Sequence, residues 1–431
     1  MPAISSEAAA WRARWAAALA LFAAGGAVAD EFHYRDVLIG DRASGMAGAY
    51  TAISDDTSGL YYNPAGIVHA GERNLSGSVN AWHQTRTTYE DVFGEGNWNR
   101  SSAALVPNFF GIVQPLDTGV IGFSFVVTDF IQEDQDQTFT DVPGEPWEQF
   151  TINLNDNQTE YKIGPSFAIE IDDGLSIGGS FYAWAREQEI INNQVIVEDF
   201  DAQGRATDTE WRYTQDQNEE WGFRPVLGLM WEPTERLALG GSIRSTGIVS
   251  ADNYQILVCT ASSATDPPEG SVEAELCRDD EVGIREVSTS TTRDQPVELR
   301  LGAAWFHSPR LLFSADVSFH TGHRDQVRGR DVEPTWNAAV GTEYYLSNQW
   351  ALRGGLYTNN ANTPEEVERF DHVNFLGGTV SLARFTRNSS IALGIGRSEG
   401  RGEGQVLPVG MPTQDVRAST TTIFLSSSYT F

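Results

Sequence analysis

The sequence has a single lysine, Lys162, and few basic residues in all: 29 arginines and lysines stand against 59 acidic residues. The formal net charge is therefore −30 at pH 7. Nucleic-acid binding requires basic surface to neutralise phosphates, and a chain this acidic argues against any nucleic-acid partner. The sequence also lacks the H-E-x-x-H and phosphate-binding glycine-loop motifs. It therefore predicts no catalytic residues, no cofactor and no enzyme activity.

Long hydrophobic runs are absent after residue 29, and the mean hydropathy is −0.31. This composition excludes a helical membrane protein. A soluble secreted protein and a β-barrel both remain, because barrel strands alternate and conceal their apolar face from a running average.

Residues 1–29 have the features of a secretory signal peptide. Arg12 and Arg14 form a positive n-region, and a short apolar run of mostly Ala and Leu comes after them. Ala27-Val28-Ala29 is an A-x-A cleavage site, which predicts a mature chain that begins at Asp30.

Alternation of apolar and polar residues is the main structural signal in the rest of the chain. In Leu311–His320, the apolar residues Leu311, Phe313, Val317 and Phe319 share one face. Serines, an aspartate and a histidine occupy the other face, as expected for a strand with one apolar side. The segments 237–245 and 175–186 repeat this pattern. A soluble sandwich could also produce it, so alternation alone does not decide.

The connections between the strands discriminate better. Six tight turns with Gly, Pro, Asn or Asp chemistry alternate with longer polar segments, of which 131–157, 187–219 and 251–293 are the longest. Short turns on one side and long loops on the other are typical of outer-membrane barrels. The predicted strands are 72–83, 101–114, 118–131, 158–171, 174–187, 220–232, 236–250, 294–306, 310–322, 333–346, 349–359, 370–384, 388–399 and 417–431. We therefore predict an all-β protein, a 14-stranded antiparallel transmembrane β-barrel.

The chain ends in an alternating strand with Tyr429 and the terminal Phe431 on its apolar face. Aromatic residues at a strand end suit the interfacial girdle of a membrane barrel. This ending resembles the signal that the barrel-assembly machinery reads, so we expect that machinery to be a partner.

A stretch without strand character, Gly45–Ile67, precedes the first predicted strand. It is rich in Gly and Ala, Asp55 and Asp56 can cap short helical turns, and Asn63 can cap a turn that Pro64 begins. These features predict a compact plug, or hatch, over residues 30–71 inside the lumen of a barrel that spans residues 72–431. An ordinary N-terminal loop and helix is the alternative interpretation.

This stretch resembles the N-terminal signature of the FadL-type outer-membrane transporters of long-chain fatty acids and other hydrophobic compounds. The family pattern is G-x-x-x-A-Y-x-x-x-x-D-D followed by N-P-A. The matching residues are Gly45, Ala49, Tyr50, Asp55, Asp56, Asn63, Pro64 and Ala65.

The resemblance implies a protein of the Gram-negative outer membrane that passively takes up hydrophobic molecules such as long-chain fatty acids, hydrocarbons or aromatics. Its surroundings would be outer-membrane lipids and lipopolysaccharide. Ligand would enter an apolar pocket under the loops and leave past the plug or through a gap in the wall. The acidic loops depart from the family, because no long apolar helical hairpin that could gather fatty acid is found in them.

Aromatic residues in the predicted loops could capture ligand, although packing within the loops explains them equally well. They are Phe93, Trp98, Trp147, Phe150 and Trp211.

Two further patterns concern covalent and metal chemistry. Cys259 and Cys277 fall in one predicted loop, and the oxidising cell surface favours a disulfide between them.

A segment that resembles a calcium-binding loop contains Asp199, Asp201, Gln203 and Glu210. Gln203 departs from that pattern and no flanking helices are evident, so a β-hairpin explains the segment more simply and we predict no metal site.

Two other classes of function stay open from the sequence. A FadL-like barrel could serve as a non-transporting scaffold or shuttle in an outer-membrane secretion system. An outer-membrane lipid-modifying enzyme would require a Ser/His or metal site in the wall, and the sequence offers none.

Overall fold

The structure is a computed structural model, and it describes residues 32–34, 37–70, 73–92, 96–140, 148–260, 282–325, 330–364, 371–404 and 413–431. Residues 1–29 lie outside this part of the chain, so the signal peptide stays a prediction. No helix among the described residues is long and apolar enough to cross a membrane.

Antiparallel strands close into a barrel with fourteen positions in its wall, which confirms the predicted fold class and strand number. The strands are β1 (Asn74–Val92), β2 (Gly96–Leu116), β3 (Gly119–Thr140), β4 (Gln149–Asp172), β5 (Leu175–Phe200), β6 (Ala206–Thr234), β7 (Leu237–Arg244), β8 (Gly247–Thr260), β9 (Gly283–Thr289), β10 (Glu298–Ser308), β11 (Leu311–His320), β12 (His323–Asp325), β13 (Arg330–Val332), β14 (Thr335–Ser347), β15 (Trp350–Asn359), β16 (His372–Phe385), β17 (Ser389–Gly404) and β18 (Gln414–Thr430). Two positions in the wall are shared, one by β7 and β8 and the other by β9 and β10, and β12 and β13 form a separate hairpin. Pairing of β1 with β18, from Asn74–Thr430 to Tyr89–Val416, closes the barrel.

The outer face of the wall is apolar, and the inner face is mostly polar. On β11, Phe313 and Phe319 are each 44% exposed on the outside, whereas Ser314, Asp316 and Ser318 are buried inside. The alternation seen in the sequence is thus the two-sided environment of a strand between lipid and lumen.

Strands β3 to β6 extend much further outward than the sequence predicts. Two of the three segments expected to be the longest loops, 131–157 and 187–219, are largely strand in the structure: β3 continues to Thr140, β4 starts at Gln149, and β5 and β6 meet at Phe200 and Ala206. The boundaries were wrong because the outward faces of these extensions are polar and meet water, while their apolar residues face inward, the reverse of a membrane strand. Cross-strand pairs such as Thr138 with Thr151 hold them together through their hydroxyl groups.

The described residues between Phe32 and Ala70, hereafter the luminal segment, lie inside the barrel. They contain helix α1 (Arg42–Gly45), helix α2 (Gly59–Tyr62) and a 3-10 helix (Pro64–His69). Apolar side chains of this segment, such as Met46 and Ile53, form one core with lumen-facing residues of the wall, such as Phe109 and Met230. Burial of each such side chain contributes about 1.5–3 kcal/mol, so the segment is an integral part of the barrel's interior.

The C-terminal residues lie on the outer surface of the barrel. The rings of Tyr429 and Phe431 stack with 5.8 Å between their centroids, and both are about half exposed. The guanidinium of Arg73 covers the ring of Phe431 at 5.3 Å. A role of these two residues in assembly stays a prediction.

Candidate functional site: the luminal segment, the cavity above it and the barrel wall

The luminal segment fits closely against the inner wall at Gly178 of β5 and Gly228 of β6. A Cβ at Gly178 would collide with the backbone of Pro64 and Ala65, and one at Gly228 would overlap the side-chain oxygen of Asn63. Glycine is required at both positions because the two backbones approach without room for a side chain.

Asn63 joins two parts of the luminal segment to the wall. Its Nδ2 donates to the carbonyl oxygens of Thr51, at 2.9 Å, and Leu229 of β6, at 3.0 Å. Its Oδ1 accepts the N–H of Ala65 at 3.2 Å, which is the contact of a residue that caps the 3-10 helix starting at Pro64. One buried amide therefore satisfies main-chain groups on both sides of the contact.

The wall also supplies donors for the carbonyl groups that short helices leave unpaired. Tyr182 and Ser180 donate to the carbonyl oxygen of Leu60 at 2.7 and 2.8 Å. Arg244 and Ser242 donate to that of Tyr62 at 2.8 and 3.0 Å. Because helices this short cannot satisfy their own C-terminal carbonyls, α2 depends on the barrel for these bonds.

Asp316 of β11 is a wall acceptor for N–H groups of the luminal segment. Its Oδ2 accepts the N–H groups of Tyr50, at 3.1 Å, and Thr51, at 3.0 Å, and the hydroxyl of Thr51 at 2.6 Å. Three bonds to one buried carboxylate oxygen fix the turn that leads from α1 toward α2.

Ion pairs at the far end of the segment join it to β14 and β15. Arg42 pairs with Asp55 of the segment and with Glu343 of the wall, both at 2.7 Å. Arg353 contacts Glu343 at 2.7 Å and Asp41 at 2.8 Å. The network alternates in sign, so each buried charge has an opposite neighbour.

Asp56 lies beside this network and has a perturbed acidity. Burial and the neighbouring Asp55 carboxylate raise the pKa of Asp56 to about 6, although it accepts the N–H of Ser58. The docked segment therefore favours the protonated form of this group.

A cavity that is partly open to solvent lies between the luminal segment and the outer end of the barrel. Leu38 of the segment contributes to its lining, as do side chains of β1, β15, β16, β17 and β18. The location agrees with a pocket under the loops, and the lining is part apolar and part polar. Polar residues form most of it: His33, Asn80, His83, Thr85, Thr87, Asn359, Asp371, Thr379, Ser398, Thr420 and Thr422.

An apolar cluster, hereafter the outer cap, covers the cavity from outside. It is built from the inward-facing residues of the strand extensions: Tyr89, Val92, Trp98, Phe139, Phe150, Ile152, Leu154, Ile190, Ile196, Val373, Val416 and Ala418. Val373 and Ala418 also line the cavity, so cap and cavity are in direct contact.

The pairing of wall strands is interrupted beside the cavity. Strands β2 and β3 pair at Ser102–Glu133 and again from Phe109–Val126, with the same register on both sides, but not between. Pro107, which lacks an N–H, lies in this interval. On the inner face, Asn108 donates to Asn80 of the cavity lining at 3.3 Å and to the carbonyl of Leu38 at 2.7 Å. The interruption therefore adjoins the floor of the cavity.

Comparisons with known proteins agree with this architecture. The model of the family described as outer membrane protein transport protein (OMPP1/FadL/TodX) matches residues 20–264. The chain belongs to this family. It is accordingly a β-barrel of the outer membrane, and its family is one of transporters.

Solved structures of low sequence identity share the fold. A Pseudomonas aeruginosa FadL homologue is 16% identical, with 94% of this chain and 100% of that one covered at a TM-score of 0.61. The P. putida toluene transporter TodX is 15% identical, with 91% and 98% covered at 0.61. The Ralstonia pickettii toluene transporter TbuX is 14% identical, with 91% and 98% covered at 0.59. The search of curated proteins found no match.

The aromatic residues suggested for ligand capture have different surroundings in this FadL-type barrel. Trp98 and Phe150 are each 1% exposed and belong to the outer cap. Trp211 is half-buried on the outward face of β6, where its indole N–H donates to Asn193. Phe93 and Trp147 lie outside the described residues. Capture by any of them stays a prediction.

The calcium-loop candidates form a hairpin turn in the structure. The Asp201 carboxylate accepts the N–H groups of Gln203 and Arg205, both at 2.9 Å, and Glu210 pairs with Arg212 at 2.7 Å. Asp199 pairs across the strands with Asp208. No group of potential metal ligands occurs in the part of the chain that is described.

The predicted disulfide is described in part. Cys259 at the outer end of β8 is disulfide-bonded. Cys277 lies outside the described residues, so the pairing of these two cysteines stays a prediction. Sequence reasoning missed Asp316 and the wall hydroxyls, because their role depends on strand register across the barrel.

Replacement of Asp316 by Ala should loosen the luminal segment. The substitution removes three hydrogen bonds to one carboxylate, and each bond to a charged group contributes about 1.5–3 kcal/mol. Hydrogen exchange measured by mass spectrometry should show faster exchange in peptides that cover residues 47–54. Asp173→Ala, in an exposed turn, serves as the control and should leave these peptides unchanged. Unchanged protection in D316A would contradict the anchoring role.

The raised pKa of Asp56 predicts that docking depends on pH. Docking of the luminal segment favours the protonated form of Asp56. The contribution of Asp56 to the stability of the docked state is therefore complete below its ordinary pKa of 3.8 and is lost as pH rises through about 6. Hydrogen-exchange protection factors of residues 54–60 should fall across this range in the wild type. D56N keeps the acceptor for Ser58 without the charge, so its protection should be independent of pH. A pH-independent wild type would refute the assignment.

Proposed function

We propose that this protein is a passive channel that takes small hydrophobic molecules from the cell exterior through the outer membrane. Long-chain fatty acids, expected from the sequence, and monoaromatic hydrocarbons, for which related barrels are channels, are the classes to test first. The observation that carries the proposal is the continuous series of outer cap, cavity and luminal segment, with an interruption in the wall beside the cavity floor.

The outer cap is the point of entry in this proposal. Its side chains are apolar, so they exclude ions and bulk water but accept apolar ligand atoms at little cost. A ligand that separates the cap residues reaches the cavity directly, because Val373 and Ala418 belong to both. No energy source is required, since the ligand moves down its own concentration gradient.

Two exits are available from the cavity. One leads past the luminal segment, which is held by a limited set of hydrogen bonds and ion pairs and could move in response to ligand that binds the displaced state better. The other leads through the interval between β2 and β3 into the surrounding membrane. An apolar ligand favours the second exit, because it passes from protein into hydrocarbon without crossing water.

Uptake measurements test the function itself. A Gram-negative host that lacks channels of this family should take up labelled toluene or hexadecanoate faster when it expresses the protein than when it carries an empty vector. Uptake at the vector rate for every hydrophobic compound, with folded barrel present in the outer membrane, would overturn the proposal.

A covalent bridge across the interruption tests the lateral exit. Continuation of the β2–β3 register places Leu105 opposite Phe130, and both face outward. A bifunctional maleimide that links Leu105→Cys to Phe130→Cys should slow uptake. The control pair, Phe110→Cys with Phe125→Cys, lies where the strands are already paired, and its linkage should have no effect. Unchanged uptake after complete linkage of 105 to 130 would show that ligand leaves past the luminal segment.

A further inference from the structure

The cavity lining restricts the chemistry of the ligand beyond simple hydrophobicity, an inference that rests on the proposed function. One part of the lining consists of hydroxyl, amide and imidazole groups on the inner faces of β1 and β18. The His83 Nδ1 lies 2.9 Å from the Thr422 hydroxyl, and the hydroxyls of Thr85 and Thr420 are 3.4 Å apart. Such groups offer hydrogen bonds without net charge.

Another part of the lining is apolar. Leu38, Val373, Tyr357, Phe375 and Phe424 contribute it. A ligand that matches both surfaces must carry an apolar body and at least one group capable of hydrogen bonding. A pure hydrocarbon would leave the polar wall facing apolar atoms, which forfeits the hydrogen bonds that water makes there.

Lysine and arginine are absent from the described lining of the cavity, and its one carboxylate belongs to Asp371. The buried arginines of the barrel have acidic partners elsewhere: Arg100 with Glu133, Arg186 with Glu220, Arg353 with Glu343, and Arg224, Arg244 and Arg300 with Glu298. Arg100 lies behind Tyr89, whose hydroxyl bonds to Asp371, and it is paired with Glu133. A ligand carboxylate in the cavity would therefore meet no permanent cation, only the imidazoles of His33 and His83.

Two buried residues of the lining have a polar atom without a hydrogen-bond partner among the described residues. Asn80, 2% exposed, has a free donor in Nδ2, and Asp371, 6% exposed, has a free acceptor in Oδ1. The other oxygen of Asp371 accepts the Tyr89 hydroxyl at 2.5 Å. A neutral oxygen function satisfies either atom: a carbonyl or ether accepts from Asn80, and a hydroxyl donates to Asp371.

We propose that the cavity selects uncharged, oxygen-bearing amphiphiles, such as phenols, alcohols, ketones or esters with an apolar body, over both the carboxylate and the hydrocarbon of the same body. The preference over the carboxylate follows from the cost of burying an unpaired charge. The preference over the hydrocarbon follows from the hydrogen-bonding groups of the lining.

Three ligands with a common toluene body test this selection: 4-methylphenol, 4-methylbenzoate and p-xylene. At pH 7.5 the phenol is neutral and the benzoate is charged. Equilibrium dialysis against nanodiscs that contain the full-length mature barrel, corrected with empty nanodiscs, gives the affinities. We expect 4-methylphenol to bind at least about tenfold more tightly than 4-methylbenzoate, because an unpaired buried charge costs more than the 1.4 kcal/mol that a factor of ten represents. It should also bind more tightly than p-xylene.

Two variants test where the selection arises. Thr420→Arg adds a cation to the cavity lining and should raise the affinity for 4-methylbenzoate at least about tenfold, the reverse of the charge cost above. Ser419→Arg adds the same charge on the opposite face of β18 and should not. Asn80→Leu should reduce binding of 4-methylphenol but not of p-xylene. Retention of heat-modifiable mobility identifies the folded variants.

Binding and uptake together distinguish a failure of the selectivity from a failure of the channel function. Equal or tighter binding of 4-methylbenzoate or p-xylene to the wild type would overturn the selectivity, and so would an equal effect of T420R and S419R. If p-xylene uptake by whole cells then still exceeds the vector rate, the proposed channel function stands without the selectivity. If none of the three compounds binds or enters cells, both fail.

Discussion

The structure depends on one constraint: main-chain groups buried inside the barrel need hydrogen-bond partners. The bonds that Asn63 makes to Thr51 and Leu229 illustrate it. A barrel of this size has a lumen wider than its own side chains can fill, and the chain fills it with short helical pieces that cannot satisfy their own main-chain groups. Wall residues therefore supply the missing partners. Tyr182 donates to α2, Asp316 accepts from the turn before α2, and Glu343 pairs with Arg42. The luminal segment and the barrel interior are consequently one hydrogen-bonded unit.

This dependence explains why the inner wall is polar. Serines, threonines and paired charges face inward because the backbone of the luminal segment must be satisfied where the segment is present. Beyond the segment, the same kind of residue lines the cavity. Ion pairs occur around Glu298 near β6, β7 and β10 and around Glu343 on β14 and β15, whereas hydroxyl and amide groups dominate where β1, β17 and β18 line the cavity. The cavity thus lies against a part of the lumen wall whose polar groups are mostly uncharged.

The sequence predicted much of the fold because two signals in it are local. Alternation as in Leu311–His320 reports a strand with two environments, and tight turns such as Asp172-Asp173-Gly174 fix where strands begin. The outer ends of β3 to β6 resemble loops in the sequence because their outward faces are polar, and their apolar residues, such as Phe150 and Ile152, face inward into the outer cap. The cap that Asn63 forms on the turn beginning at Pro64 could be predicted, because capping is local. Contacts such as Arg42 with Glu343 join residues distant in sequence and depend on the register of all the intervening strands, which no local pattern reveals.

The luminal segment, in the mechanism proposed above, seals the cavity from the periplasmic end of the barrel. Thr379 lines the cavity, and its hydroxyl donates to the carbonyl of Gly45 at 3.0 Å. The most direct test compares the rate at which a bulky maleimide labels Thr379→Cys in the otherwise intact chain and in a chain that lacks residues 30–68 but keeps residues 1–29. Folded barrels of both kinds, verified by heat-modifiable mobility, would be assayed in nanodiscs. We expect slow labelling in the intact chain and much faster labelling after the deletion. Equal labelling rates in the two folded barrels would contradict the sealing role.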